Sequence, residues 1–156
     1  MNEATVPLFG SGLIFLTNGH KTNLLALQQG GSGDVTTNIA WRVTRGVPTR
    51  PSPLLVGDLL FMVSDAGVVS CVEAKSGEIV WQERVSGAFS SSPVCVGGNV
   101  YMSDEDGKTH VVAAERAFKS VAVNKLDAGC MASPAIAGDS LFLRTKTHLY
   151  CIAQGQ

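Results

Sequence analysis

The chain has 156 residues, 45% of them hydrophobic and 16% charged, enough for one domain with a substantial core and unlike a disordered segment. Twelve Lys and Arg against thirteen Asp and Glu give a formal charge of -1, which provides no basic footprint for nucleic acid or for an anionic membrane surface. Apolar runs such as Leu59-Leu60-Phe61-Met62-Val63 are far shorter than the roughly 20 residues of a spanning helix, and the N-terminus lacks the basic and apolar regions of a secretory signal.

The first element is a β-hairpin. Pro7 opens an extended phrase, Gly10-Ser11-Gly12 supplies the turn and Phe15 follows, as a tight connection needing positive φ requires. A third strand over 24–27 surrounds Ala26, an insertion runs from Gly30 to Asn38, and a fourth strand carries Trp41. The phrase restarts at Pro53 with Gly57-Asp58, Phe61, a third strand around Cys71, and Trp81. It restarts again at Pro93 with Gly97-Gly98-Asn99, Tyr101, a third strand over 110–114 with Ala113 in the small-residue place, and Val121 in the place of the tryptophan. The last restart, at Pro134, brings Gly138-Asp139, Phe142 and a third strand over 148–152 around Cys151.

Self-similarity at about 40 residues, four short strands per unit and no sustained 3.6-residue apolar spacing predict an all-β chain of propeller blades. One small twisted sheet buries both faces only by stacking on neighbours. The expected fold is a partial β-propeller, an arc of about three and a half four-stranded antiparallel blades within a single domain, 1–156. Blade one covers about 5–46, blade two 52–87, blade three 92–129 and a half blade 133–154. With no spare strand to close a ring, the chain reads as part of a longer protein.

In unit two, Cys71-Val72-Glu73-Ala74-Lys75-Ser76-Gly77-Glu78-Ile79-Val80-Trp81 resembles the Ala-x-Asp-x-x-Thr-Gly-x-x-x-Trp docking motif of the pyrroloquinoline-quinone (PQQ) repeat family. Glu73 stands for its Asp and Ser76 for its Thr, while Gly77 and Trp81 match outright. The Ser-Pro openings at Pro53, Pro93 and Pro134 belong to the same wording. Unit one keeps Trp41 behind its insertion, and unit three has lost the motif. The resemblance extends to exported quinoprotein-like propellers of planctomycete-type bacteria and to the outer-membrane assembly lipoprotein. It implies a Gly in the turn between strands three and four, a Trp packed between blades, and a periplasmic or extracytoplasmic location.

Candidate chemistry is sparse. Asp104-Glu105-Asp106-Gly107 departs from a calcium loop, because its Gly is at the fourth place and Lys108 at the fifth, and it reads as an Asp-Gly hairpin turn. His110 and His148 read as repeat equivalents and His20 as a loop residue, none with ligands converging on it. Cys71 and Cys151 read as small packed thiols, with Cys95 and Cys130 the one pair conceivably able to approach. The adjacent cysteine pair used by quinoprotein dehydrogenases is missing from the sequence. No catalytic, cofactor or metal residue is therefore expected, and PQQ enters only through the family name. The leading expectation is a non-catalytic interaction or scaffold module with a protein partner, including self-association through exposed blade edges. A fragment of a PQQ-dependent oxidoreductase and a polysaccharide- or cell-surface-binding segment remain alternatives.

Overall fold

The computed structural model describes residues 5–18 and 23–153, so His20 lies outside the described residues. Fifteen short strands form four antiparallel sheets in chain order. Blade one contains β1 (Leu8–Gly10), β2 (Leu13–Asn18), β3 (Asn23–Gln28) and β4 (Ile39–Val43), and blade two contains β5 (Leu54–Val56), β6 (Leu59–Val63), β7 (Val68–Glu73) and β8 (Ile79–Arg84). Blade three contains β9 (Val94–Val96), β10 (Asn99–Ser103), β11 (Lys108–Ala113) and β12 (Ser120–Lys125). Blade four contains β13 (Ala135–Ala137), β14 (Ser140–Arg144) and β15 (Leu149–Ala153). Each blade is a meander whose neighbours in sequence are neighbours in the sheet, which is the architecture of a partial propeller.

Adjacent blades are joined by the two faces that alternation along a strand creates. Leu60, Met62 and Val72 face back to Leu13, Phe15, Leu24 and Ala26 of blade one, whereas Phe61, Val63 and Cys71 face forward to Val100, Met102 and Val112 of blade three. All five residues of β6 are consequently buried, and its run reads as unbroken apolar residues instead of an alternation.

A ladder of hydroxyls fixes the same contact on the polar side. The Val6 amide donates to Ser52 Oγ, the Ser52 amide to Ser92 Oγ, and the Ser92 amide to Ser133 Oγ, each at 2.9 Å. Pro53, Pro93 and Pro134 follow these serines directly and are all buried. Their fixed φ starts each first strand without an amide donor to satisfy.

Cross-strand pairing corrects three assignments made from spacing. Phe15 pairs with Ala26, Phe61 with Cys71 and Phe142 with Cys151, but Tyr101 pairs with Val111 and not with Ala113. A bulge in each outer pair then places Trp41, Trp81 and Ala122 at one repeat position, with Val121 on the bulge. His148 is not the equivalent of His110 either. His110 pairs with Met102, and the matching pair in blade four is Tyr150 with Leu143. Alternation of faces decides the one-residue slip at Val121, whereas the two-residue slips at Ala113 and His148 keep the face and are settled by the pairing register.

Candidate interaction surfaces

The strand-three to strand-four turn of blade two is built as its sequence implies. The Gly77 amide donates to the Glu73 carbonyl at 2.8 Å, the Glu73 amide to the Glu78 carbonyl at 2.8 Å, and the Glu78 amide to Ser76 Oγ at 3.3 Å. Gly77 has φ +75, and a Cβ there would lie 2.6 Å from the Trp41 ring. Trp41 of blade one thus lies on the turn of blade two, donating its indole N–H to the Ala74 carbonyl at 3.0 Å and packing tilted against Phe15, ring centroids 5.7 Å apart. Trp81, half-buried, repeats the arrangement one blade on, with its N–H on the Glu115 carbonyl at 3.1 Å and its ring 6.0 Å from Phe61 and 5.2 Å from Phe118. The Arg116 guanidinium also crosses this interface to the Glu73 carboxylate. Although unit three has lost the motif's wording, Phe118 and Arg116 complete the docking of blade two.

On the loop face, one ionic network ties blades two and three. Arg50 Nε donates to Asp65 at 2.8 Å, its Nη1 reaches Ser90 at 2.6 Å and Glu105 at 3.0 Å, and the Ser90 hydroxyl donates to Glu105. The Thr49 amide and hydroxyl each donate to Asp65 at 2.8 Å. Burial pulls the Asp65 carboxyl upward, but these hydrogen bonds outweigh it and hold its pKa below the usual value. A depressed folded-state pKa contributes stability above the unfolded value of about 3.9, lost as pH falls through the folded value. Asp65→Asn is expected to flatten the acid limb of stability below about pH 4, by roughly 1 kcal/mol or less because the network is open to solvent. Urea titrations from neutral to acid pH check this; an unchanged limb would contradict it.

Asp104 to Gly107 forms a hairpin turn. Asp104 Oδ1 accepts from the amides of Asp106 at 3.0 Å and Lys108 at 2.8 Å. Its Oδ2 is buried without a hydrogen-bond partner, 3.9 Å from His110 Nε2. That nitrogen faces the Ser86 carbonyl at 3.0 Å and so carries the proton. His110 is buried and its ring lies 5.8 Å from Phe89, whereas His148 is exposed. Among the described residues no group of three His, Cys, Asp or Glu is placed to hold a metal.

The four cysteines are free, so Cys95 and Cys130 do not form the pair that spacing left conceivable. Burial pushes the Cys71 thiol up to about 11 and raises Cys95 and Cys130 as well, which favours packed thiols over thiolates. The Cys130 thiol donates to the Arg144 carbonyl at 3.0 Å. Cys151, by contrast, is exposed on β15.

Two sheet faces lack a neighbouring blade among the described residues. Blade one presents Phe9, Ile14, Leu16, Leu25 and Leu27, which pair across its strands on one side, and Phe9 is 64% exposed. Blade four presents Ala135, Phe142, Leu149 and Cys151, with Leu149 70% exposed. Its three-stranded sheet also leaves the outer backbone edge of β15 without a paired strand among the described residues.

Four-stranded meanders docked by tryptophan and a Ser-Pro ladder define a PQQ-like β-propeller repeat protein. The family model described as outer membrane protein assembly factor BamB matches residues 21–118, more than half of the chain, and the chain belongs to this family. No curated protein matches. Among solved structures, BamB from Moraxella catarrhalis is similar at 15% identity and TM-score 0.70, over 90% of this chain and 40% of that one. A europium-containing methanol dehydrogenase is similar at 13% identity and TM-score 0.64, over 80% of this chain and 25% of that one. The computationally designed Ika4 protein is similar at 10% identity and TM-score 0.71, over 99% of this chain and 94% of that one. The chain therefore spans less than half the length of BamB and about the whole length of the designed protein. Among the described residues no helix is long and apolar enough to cross a membrane.

Proposed function

We propose that the chain is a non-catalytic propeller segment that works as a protein-interaction or scaffold module of a longer, exported, periplasmic protein, and that it takes no PQQ. The observation that carries this reading is the family match over residues 21–118, and the two apolar sheet faces uncovered among the described residues are where a partner or the rest of the longer protein would dock. Phe142 and Cys151 stand in the repeat positions of Phe61 and Cys71, while Ile14, Leu16 and Leu27 stand in those of Leu60, Met62 and Val72. The blade-four end thus carries the forward half of an interblade contact and the blade-one end the backward half, and such faces recruit partners. The description of the matching family, an assembly factor for outer membrane proteins, supports a protein partner and an extracytoplasmic place.

For the isolated 156-residue chain the same complementarity favours a second copy. Light scattering is expected to show a species larger than the 16.3 kDa monomer, with Phe142→Asp shifting it toward the monomer. A stable monomer binding no apolar dye would overturn the end-face reading. Absorbance titration is expected to show no saturable PQQ binding, with or without calcium; micromolar saturation would favour the oxidoreductase alternative.

A further inference from the structure

The first two interblade gaps are closed by an indole, and the third is not. Trp41 packs with Leu13, Phe15, Leu55, Leu60 and Val72 in the gap between blades one and two. Trp81 packs with Leu59 and Phe61 in the gap between blades two and three. Between blades three and four the register places Ala122 where the tryptophans stand, opposite Val111 and in line with Tyr101. Asn99 takes the place of Leu13 and Leu59. A large ring and an apolar branched side chain are thus both missing from this gap, and the counterpart of the turn that seats Trp41 would follow Ala153, outside the described residues.

Between these blades lies an open cleft of about 530 Å³ whose lining includes Asn99, Tyr101, Ile136, Asp139, Leu141 and Ile152. Tyr101 corresponds to Phe15, Ile136 to Leu55, Leu141 to Leu60 and Ile152 to Val72. These counterparts hold Trp41 in the first gap. The aromatic wall offers an offset or edge-on partner for a second ring. Asn99 and Asp139 add acceptor oxygens, and a buried indole N–H requires one.

We propose that this cleft binds the indole side chain of a tryptophan presented on an extended segment of a partner polypeptide. The occupant follows from the chain itself, which fills the two equivalent gaps with a tryptophan carried on a strand. The inference rests on the interaction-module reading but uses the cleft between blades three and four, not the end faces. Self-association and indole capture therefore succeed or fail separately.

The test titrates the full chain with a peptide of the β4 sequence, Ile-Ala-Trp-Arg-Val, with its Trp-to-Ala analogue, and with free N-acetyltryptophanamide. Amide NMR shifts and calorimetry provide the readout, with the association state of each sample fixed by light scattering. The tryptophan peptide is expected to bind saturably, about 10-fold more tightly than the free amide, and the analogue not to bind. Ala122→Trp is expected to fill the gap from within, raising Tm and weakening peptide binding about 10-fold or more. Should that variant fail to fold, Tyr101→Ala is expected to weaken binding while the shifts of blades one and two stay in place. Absence of saturation up to about 10 mM peptide, equal affinity for the free amide, or undiminished binding by a folded Ala122→Trp would overturn the proposal.

Discussion

Phe61→Ala is expected to lower the unfolding free energy by about 3–5 kcal/mol, the range for truncating a buried aromatic. Phe61 is fully buried in the interface of blades two and three, among Val63, Cys71, Val100 and Met102, and its ring meets Trp81 at 6.0 Å. Small domains are stable by only about 5–15 kcal/mol, so the variant should lose a large part of its margin. The control is Phe142→Ala, the same repeat position on the open face of blade four, where roughly 1 kcal/mol is expected because less packing is lost. Urea midpoints measured at a protein concentration low enough to keep the chain monomeric compare the two. Costs within about 1 kcal/mol of one another would contradict the assignment of closed and open faces.

The second large effect is expected at Gly77. Alanine there adds a side chain at φ +75 and 2.6 Å from the Trp41 ring, so the backbone cost of about 1–2 kcal/mol is joined by displacement of the indole. Loss of the Trp41 bond to Ala74 adds about 0.5–1.5 kcal/mol, giving roughly 2–3 kcal/mol in all. Gly57 separates the two causes, because its φ is +59 and a Cβ there would meet nothing within 4 Å. Gly57→Ala should show the backbone part alone, and equal losses at the two sites would mean that Trp41 does not rest on the turn.

How much of this is legible in the sequence depends on whether the signal lies along a strand or across a sheet. Pro53, Pro93 and Pro134 with their aromatics eight residues on mark the first hairpin of each repeat, because a short turn and a fixed strand length leave counting no freedom. Gly77 and Trp81 are readable as turn and dock for the same reason. Beyond the second turn, counting loses register by one or two residues. It aligns Ala113, Val121 and His148 with positions that belong to Val111, Ala122 and Tyr150. Each slip of one residue exchanges the two faces of a sheet, so the alanine that opens the third gap is hidden behind the valine beside it. The Arg50 network and the Trp41 seat on Gly77 join residues of different blades, and no spacing within one repeat encodes them. The motif of blade two specifies the turn, but the ring that rests on it comes from blade one.

The serine ladder has a direction. At each rung the earlier blade gives a backbone N–H and the later blade receives it on a hydroxyl. A unit running from Ser52 to Ser91 carries both ends of that bond, so copying it in tandem would reproduce the same rung without a mismatch. Val6 occupies the serine position of blade one and has no hydroxyl to receive one. Interior blades are therefore the interchangeable parts by which such an array can grow through duplication, while blade one lacks the hydroxyl with which it would receive this rung.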